Sequence, residues 1–167
     1  MLRVLVVDND ATVTVAVRAG LEEFCGASVL CSDNATEAAE LLRRQRLDAA
    51  VIDVELPEIS GFGLAERAAS LNIPVVLTTG HPDGLLLCRR HGFPFIEKPF
   101  LPDTLAKQTL LAVRAARLNI ARVLASAEQL RRSGTNLREA VEEARRLVAE
   151  SARNRDRRLR TIKSPLH

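Results

Sequence analysis

The stretch Leu2-Arg3-Val4-Leu5-Val6-Val7, followed at once by Asp8-Asn9-Asp10, decides the fold. Its near-continuous apolar run is rich in β-branched residues, as in a parallel strand covered on both faces; a half-exposed strand would alternate apolar with polar. Downstream, Val13, Val15, Val17 and Leu21 fall into a helix-like stretch closing at Cys25-Gly26, and residues 27–31 fit a second strand. Asn34, with Glu37 three residues later, starts a helix that Ala38, Ala39, Leu41 and Leu42 carry onward. The unit then repeats. Residues 49–53 form a buried strand, Gly61 to Leu71 an amphipathic helix, and residues 73–79 a strand with proline near its start. Asp83 to Arg90 is a short helix, residues 93–97 a fifth strand, and Asp103 opens a last helix through Leu105, Leu110, Leu111 and Val113. Five strands alternating with five helices, at ~20–25 residues per unit, predict an α/β fold: a five-stranded parallel doubly wound sheet with right-handed crossovers.

The composition divides in the same place as the pattern. Residues 1–118 carry a net charge of −3 and residues 119–167 a net +6, within an overall +3. All five Phe, six of seven Pro and seven of eight Gly precede residue 103. The expected organisation is a mixed, turn-rich domain over 1–118 and a basic, aromatic-free helical extension over 119–167. No apolar run reaches ~18 residues, which excludes a membrane span, and Asp8 cuts the first run too short for a signal-peptide core. Cys25, Cys31 and Cys88 make an odd count without CxxC spacing, expected as thiols in a reducing cytosol. His81, His91 and His167 are too scattered for a zinc site.

In an open parallel sheet, ligands sit beyond the carboxyl ends of the strands. Strand one ends in Asp8-Asn9-Asp10, strand three in Asp53, strand four in Thr78-Thr79, and strand five in Lys98-Pro99. Taken singly, each has a bland reading: Asp at a strand end often caps the next helix, and Lys-Pro is a common turn. Together on one rim, carboxylates, an amide, a hydroxyl and an ammonium suit a hard cation such as Mg²⁺ and a phosphoryl group. A carboxylate can act as nucleophile toward phosphorus, while Thr and Lys hold the phosphoryl oxygens.

Across residues 1–118 the chain resembles the receiver domain of bacterial two-component response regulators. The resemblance rests on four motifs in order: Val4-Leu5-Val6-Val7-Asp8-Asn9-Asp10; residues 51–57 around Asp53, with Gly61; Pro74 to Gly80; and Phe95-Ile96-Glu97-Lys98-Pro99-Phe100. It implies a flavodoxin-like sheet of order 2-1-3-4-5. It further implies that Asp53 accepts a phosphoryl group from a sensor histidine kinase or histidine phosphotransfer protein, with Mg²⁺ held by Asp8, Asn9, Asp53 and the backbone carbonyl of Glu55. Lys98, Thr79 and Gly80 would bind the phosphate. Thr79 and Phe95 would form the switch, moving to register the new charge. On this reading the protein is a phosphoacceptor rather than an enzyme, limited to self-phosphorylation and slow autodephosphorylation.

One departure bears on the metal. Where the family usually places two adjacent acids, this chain has Asp8-Asn9. A neutral amide carbonyl in place of a carboxylate would weaken Mg²⁺ binding, and Asp10 need not reach the ion. Glu55, two after Asp53, and His81, two after Thr79, would flank the path of the attacking water, where acid and imidazole could pair and slow dephosphorylation, unless both point to solvent. The extension shows an a/d stripe of Val113, Ala116, Ile120, Val123, Ala127 and Leu130, continuing to Val148. Residues 133–136 offer a break, so a helical hairpin and one continuous coiled-coil helix both fit, with homodimerisation one way to cover the stripe. Arg153 to Arg160 is a dense basic run: a solvated helix end, or a contact for a nucleic-acid backbone. Two rival functions therefore stand beside the phosphorelay receiver: a phosphorylation-independent pseudo-receiver scaffold, and an RNA- or DNA-binding regulator acting through the tail.

Overall fold

Backbone pairing in the computed structural model, which describes residues 1–57, 60–132 and 141–147, joins all five strands in parallel. They are β1 (Arg3–Val7), β2 (Ser28–Ser32), β3 (Ala49–Asp53), β4 (Val75–Thr79) and β5 (Phe95–Glu97), in the order β2-β1-β3-β4-β5. The helices between and after them are α1 (Ala11–Cys25), α2 (Ala35–Arg44), α3 (Gly61–Ser70), α4 (Pro82–His91) and α5 (Pro102–Arg132). This is the predicted doubly wound α/β sheet of order 2-1-3-4-5, with a long C-terminal helix.

Strand residues alternate between two apolar clusters, one on each face of the sheet. Leu5, Val7, Ala50, Ile52, Val75 and Leu77 meet Ala38, Leu42, Phe62, Ala65 and Cys88 from α2, α3 and α4. Val4, Val6, Val51 and Val76 meet Val17 and Leu21 of α1 and Leu105, Ala106 and Val113 of α5. With both faces covered, every residue of β3 and β4 is buried, which is why these strands read as continuous apolar runs.

The ends of the helices follow local chemistry. Asp10 caps α1, its carboxylate accepting from Thr12 N at 2.8 Å and Val13 N at 3.3 Å. Asn34 caps α2 through Glu37 N at 2.8 Å. Gly26 closes α1 in the left-handed region at φ 58°, where a side chain would be strained. The chain divides into two compact units, Met1–Ala116 and Arg117–His167, and the division falls within α5. Residues 141–147 are helical. The suggested break at 133–136 and the basic run at 153–160 lie outside the described residues. Of the a/d stripe, Val113 is buried, whereas Ile120, Val123 and Val141 are exposed.

Candidate functional site

Sheet topology alone assembles the polar rim. From β1 the chain goes to β2 on one side and reaches β3 on the other, so β1 and β3 are hydrogen-bonded neighbours at the point where strand order reverses. Asp8 directly follows β1 and Asp53 ends β3; each is only 3% exposed. Lys98, the residue after β5, reaches back across the β4 end. Its Nζ lies 2.8 Å from Asp8 Oδ2 and 2.9 Å from Asp53 Oδ2. The Lys98–Pro99 peptide that follows is cis. Each carboxylate's other oxygen takes a backbone donor: Asp10 N to Asp8 Oδ1 at 2.8 Å, and Glu55 N to Asp53 Oδ1 at 3.4 Å.

Two buried carboxylates around one ammonium leave a net negative charge. Burial holds the Asp53 carboxyl above its ordinary range, although the Lys98 hydrogen bond and charge pull the other way. Burial alone would lower the Lys98 pKa, but the hydrogen bonds to Asp8 and Asp53 outweigh it and hold the ammonium protonated. Both carboxylates are the hard oxygen donors that Mg²⁺ takes. Among the described residues, no three His, Cys, Asp or Glu side chains converge as a metal-holding group.

A second cluster adjoins the first. Thr79 ends β4, is fully buried, and donates its hydroxyl hydrogen to Glu55 Oε1. Gly80 N donates to Glu55 Oε2 at 3.2 Å, and His81 N donates to Thr79 Oγ1 at 3.2 Å. Gly61 has a spatial role, since a Cβ there would overlap the carbonyl oxygen of Asp53. Only glycine lets α3 start hard against the backbone of Asp53.

Of the residues singled out in the sequence, Asp8, Asp53 and Lys98 meet directly, and Glu55, Thr79 and Gly80 meet beside them. Asn9 is exposed next to Asp8. Asp10 spends its carboxylate on the first turn of α1, whose N–H groups draw its pKa downward. Glu55 and His81 do not pair: Glu55 is engaged by Thr79 and Gly80, and His81 Nδ1 caps α4 by accepting from Asp83 N at 3.3 Å. Phe95 opens β5, partly buried against the core cluster behind β4. Sequence reasoning missed Gly84 in α4, where a Cβ would overlap Thr79 Oγ1 and lie 2.7 Å from Glu55 Oε1. No local pattern marks such a glycine; its role comes from how closely α4 approaches Thr79.

Known proteins share this arrangement of strands. The chain is 31% identical over 113 residues to the response regulator MprA of Mycobacterium leprae, an alignment covering 66% of this chain and 48% of that protein. A response regulatory protein of Yersinia pestis is 31% identical over 111 residues, covering 64% of this chain and 46% of its own length. The chain thus spans about half the length of these curated relatives. Among solved structures, a CheY-like receiver domain from Methanospirillum hungatei shares the fold with a TM-score of 0.64 at 23% identity, covering 71% of this chain and 98% of that one. The receiver domain of a Pseudomonas aeruginosa sensor histidine kinase, solved with a magnesium ion coordinated in its active-site cleft, gives 0.60 at 21% identity over 67% of this chain and 97% of its own. The model of the response regulator receiver domain matches residues 4–110, from the second residue of β1 through β5, and takes in every residue of the charged rim. With its strand order, its paired aspartates and its bridging lysine, the chain belongs to the response regulator receiver domain family.

Proposed function

We propose that this chain is a phosphorylation switch in which Asp53 accepts a phosphoryl group from a phosphohistidine. The observation that carries the reading is Lys98 Nζ bridging Asp8 and Asp53 at 2.8 and 2.9 Å, a charge triad at the strand-order switch point. An Asp53 carboxylate oxygen attacks phosphorus; the new O–P bond forms as the P–N bond breaks, and the electron pair stays on the imidazole nitrogen. Three phosphoryl oxygens then carry charge beside Asp53. Lys98 turns its ammonium onto one of them, and the Thr79 hydroxyl and Gly80 N–H supply further donors. Phe95 follows Thr79 inward, making the new charge visible on the surface beside β5. Mg²⁺ would neutralise charge on the phosphoryl oxygens, and Asp8, Asp53, Asn9 and the Glu55 carbonyl would hold it.

The donor would be a sensor histidine kinase or a histidine phosphotransfer protein. We assign residues 1–118 to the receiver and 119–167 to a helical extension that passes the signal by protein contact, a second copy of the chain included. A cytoplasmic site fits this role, and no helix among the described residues is long and apolar enough to cross a membrane. Incubation with acetyl phosphate and Mg²⁺, followed by mass spectrometry, tests the assignment. One phosphoryl group on Asp53, absent in Asp53→Asn, is expected; an unmodified wild-type chain would overturn it.

A second reading has its own support. Asn9 is neutral and exposed, and Asp10 is committed to capping α1, so among the described residues the Lys98-bridged pair Asp8 and Asp53 offers a cation two carboxylates. On that reading the chain is a scaffold that works without phosphorylation. Failure to bind millimolar Mg²⁺, with binding gained in Asn9→Asp, would favour the scaffold.

A further inference from the structure

We propose that Glu55 fills, in the unmodified chain, the seat that a phosphoryl group on Asp53 would take at Thr79 and Gly80. The inference rests on reading Asp53 as the acceptor and Thr79 and Gly80 as phosphoryl donors. A hydroxyl and a backbone amide each have one hydrogen to give. Both donors reach one carboxylate: Thr79 Oγ1 donates to Glu55 Oε1, with the His81 carbonyl oxygen at 3.3 Å the more distant acceptor for the same hydrogen, and Gly80 N donates to Glu55 Oε2 at 3.2 Å. Thr79 Oγ1 also accepts from His81 N at 3.2 Å, which fixes the oxygen in place beside Glu55.

The seat is built around the carboxylate. Glu55 N is itself 3.4 Å from Asp53 Oδ1, so the residue touching the acceptor through its backbone occupies the neighbouring donors through its side chain. Gly84 leaves the room, because a Cβ there would overlap Thr79 Oγ1 and crowd Glu55 Oε1 to 2.7 Å. A carboxylate and a phosphoryl group present the same chemistry to these donors: anionic oxygens accepting charge-assisted hydrogen bonds. Phosphorylation is then an exchange of one anion for another. Glu55, exposed at the surface, swings out to water as the phosphoryl oxygens take its partners. It is a positioning residue that keeps the Thr79 hydroxyl turned toward the site before phosphorylation and resists occupation of the site.

The test uses the full chain with beryllofluoride and Mg²⁺ as probe, in wild type, Glu55→Ala, Glu55→Asp and Asp53→Asn. Removing the occupant should tighten beryllofluoride binding by about tenfold, the size of one exchanged charge-assisted hydrogen bond. Glu55→Asp separates the seat from simple charge repulsion: it keeps the charge but is one methylene too short to reach both donors. The seat predicts a gain in Glu55→Asp close to that in Glu55→Ala. It also predicts a displaced Gly80 amide resonance in both variants without any ligand. If Glu55→Asp binds like wild type while Glu55→Ala gains, repulsion alone acts and the proposal is overturned. An unmoved Gly80 resonance in Glu55→Ala would also overturn it. Beryllofluoride binding by Asp53→Asn equal to that of wild type would overturn the acceptor reading instead, and the Gly80 resonance would still decide whether Glu55 sits where we place it.

Discussion

At the residue scale, charge balance makes two neighbouring substitutions act in opposite directions. Asp8 and Asp53, each 3% exposed, share the single ammonium of Lys98. Lys98→Met strands two buried carboxylates and should cost about 3–5 kcal/mol. Asp53→Asn removes the excess negative charge, leaves a neutral Lys98–Asp8 pair, and should stabilise the chain by roughly 1–2 kcal/mol at neutral pH. The pH dependence fixes the cause. Burial raises the Asp53 pKa in the folded chain above its ordinary 3.8, so the folded state holds this proton more tightly than the unfolded state. Its contribution to stability is therefore full below 3.8 and is lost as pH rises through the folded value. Urea unfolding of both proteins over a pH series should show the Asp53→Asn advantage vanish at low pH and reach a plateau above the raised pKa. An advantage independent of pH would mean that charge is not the cause. The rim residues themselves were legible in the sequence, because apolar runs mark where strands end. Which donor each oxygen takes was not. The Thr79–Glu55 bond spans 24 positions and depends on how closely α4 approaches, a distance that no local pattern encodes.

At the element scale, most boundaries were legible to within two residues; β2 lies at Ser28–Ser32, one residue beyond the expected 27–31, and the shifts at β4, β5 and α4 have a plain cause. The sequence predicts strands over 73–79 and 93–97; β4 and β5 begin two residues later, at Val75 and Phe95. Pro74 and Pro94 have no N–H for the ladder and give only their carbonyls, to Ala50 N and Leu77 N, each at 2.9 Å. The predicted helix from Asp83 to Arg90 is α4, Pro82–His91, one residue longer at each end. Pro82 suits a first helical position, and His81 caps through its ring nitrogen, a residue type outside the usual capping set. Asn34 belongs to that set, so Asn34→Ala should cost about 1 kcal/mol and leave metal and beryllofluoride binding unchanged. Gly61→Ala differs in kind. A Cβ that overlaps the Asp53 carbonyl forces β3 and α3 apart, costing about 1–3 kcal/mol, as overpacking does, and displacing Asp53 as well. Paired chemical denaturation and beryllofluoride titration should therefore separate the two: stability alone falls in one, stability and binding together in the other.

At the scale of the whole molecule, the question is how much of α5 the receiver needs. Leu105, Ala106 and Val113 are buried in the cluster under β1, β3 and β4, and with them α5 closes one face of the sheet. Further along the same helix, Leu118, Ile120, Val123 and Leu124 are between 48% and 66% exposed, so they contribute little to any core. The last buried residue of the first unit thus lies three positions before its boundary at Ala116. A chain ending at residue 116 should keep both apolar clusters, unfold cooperatively within about 5 °C of the full chain, and bind beryllofluoride with unchanged affinity. Ending at residue 101 uncovers Val4, Val6, Val51 and Val76 and should abolish cooperative unfolding. Scanning calorimetry on both truncations decides the matter. A large loss of stability at 116 would mean that residues beyond it support the sheet, and the first unit could then not be treated as a receiver that folds by itself.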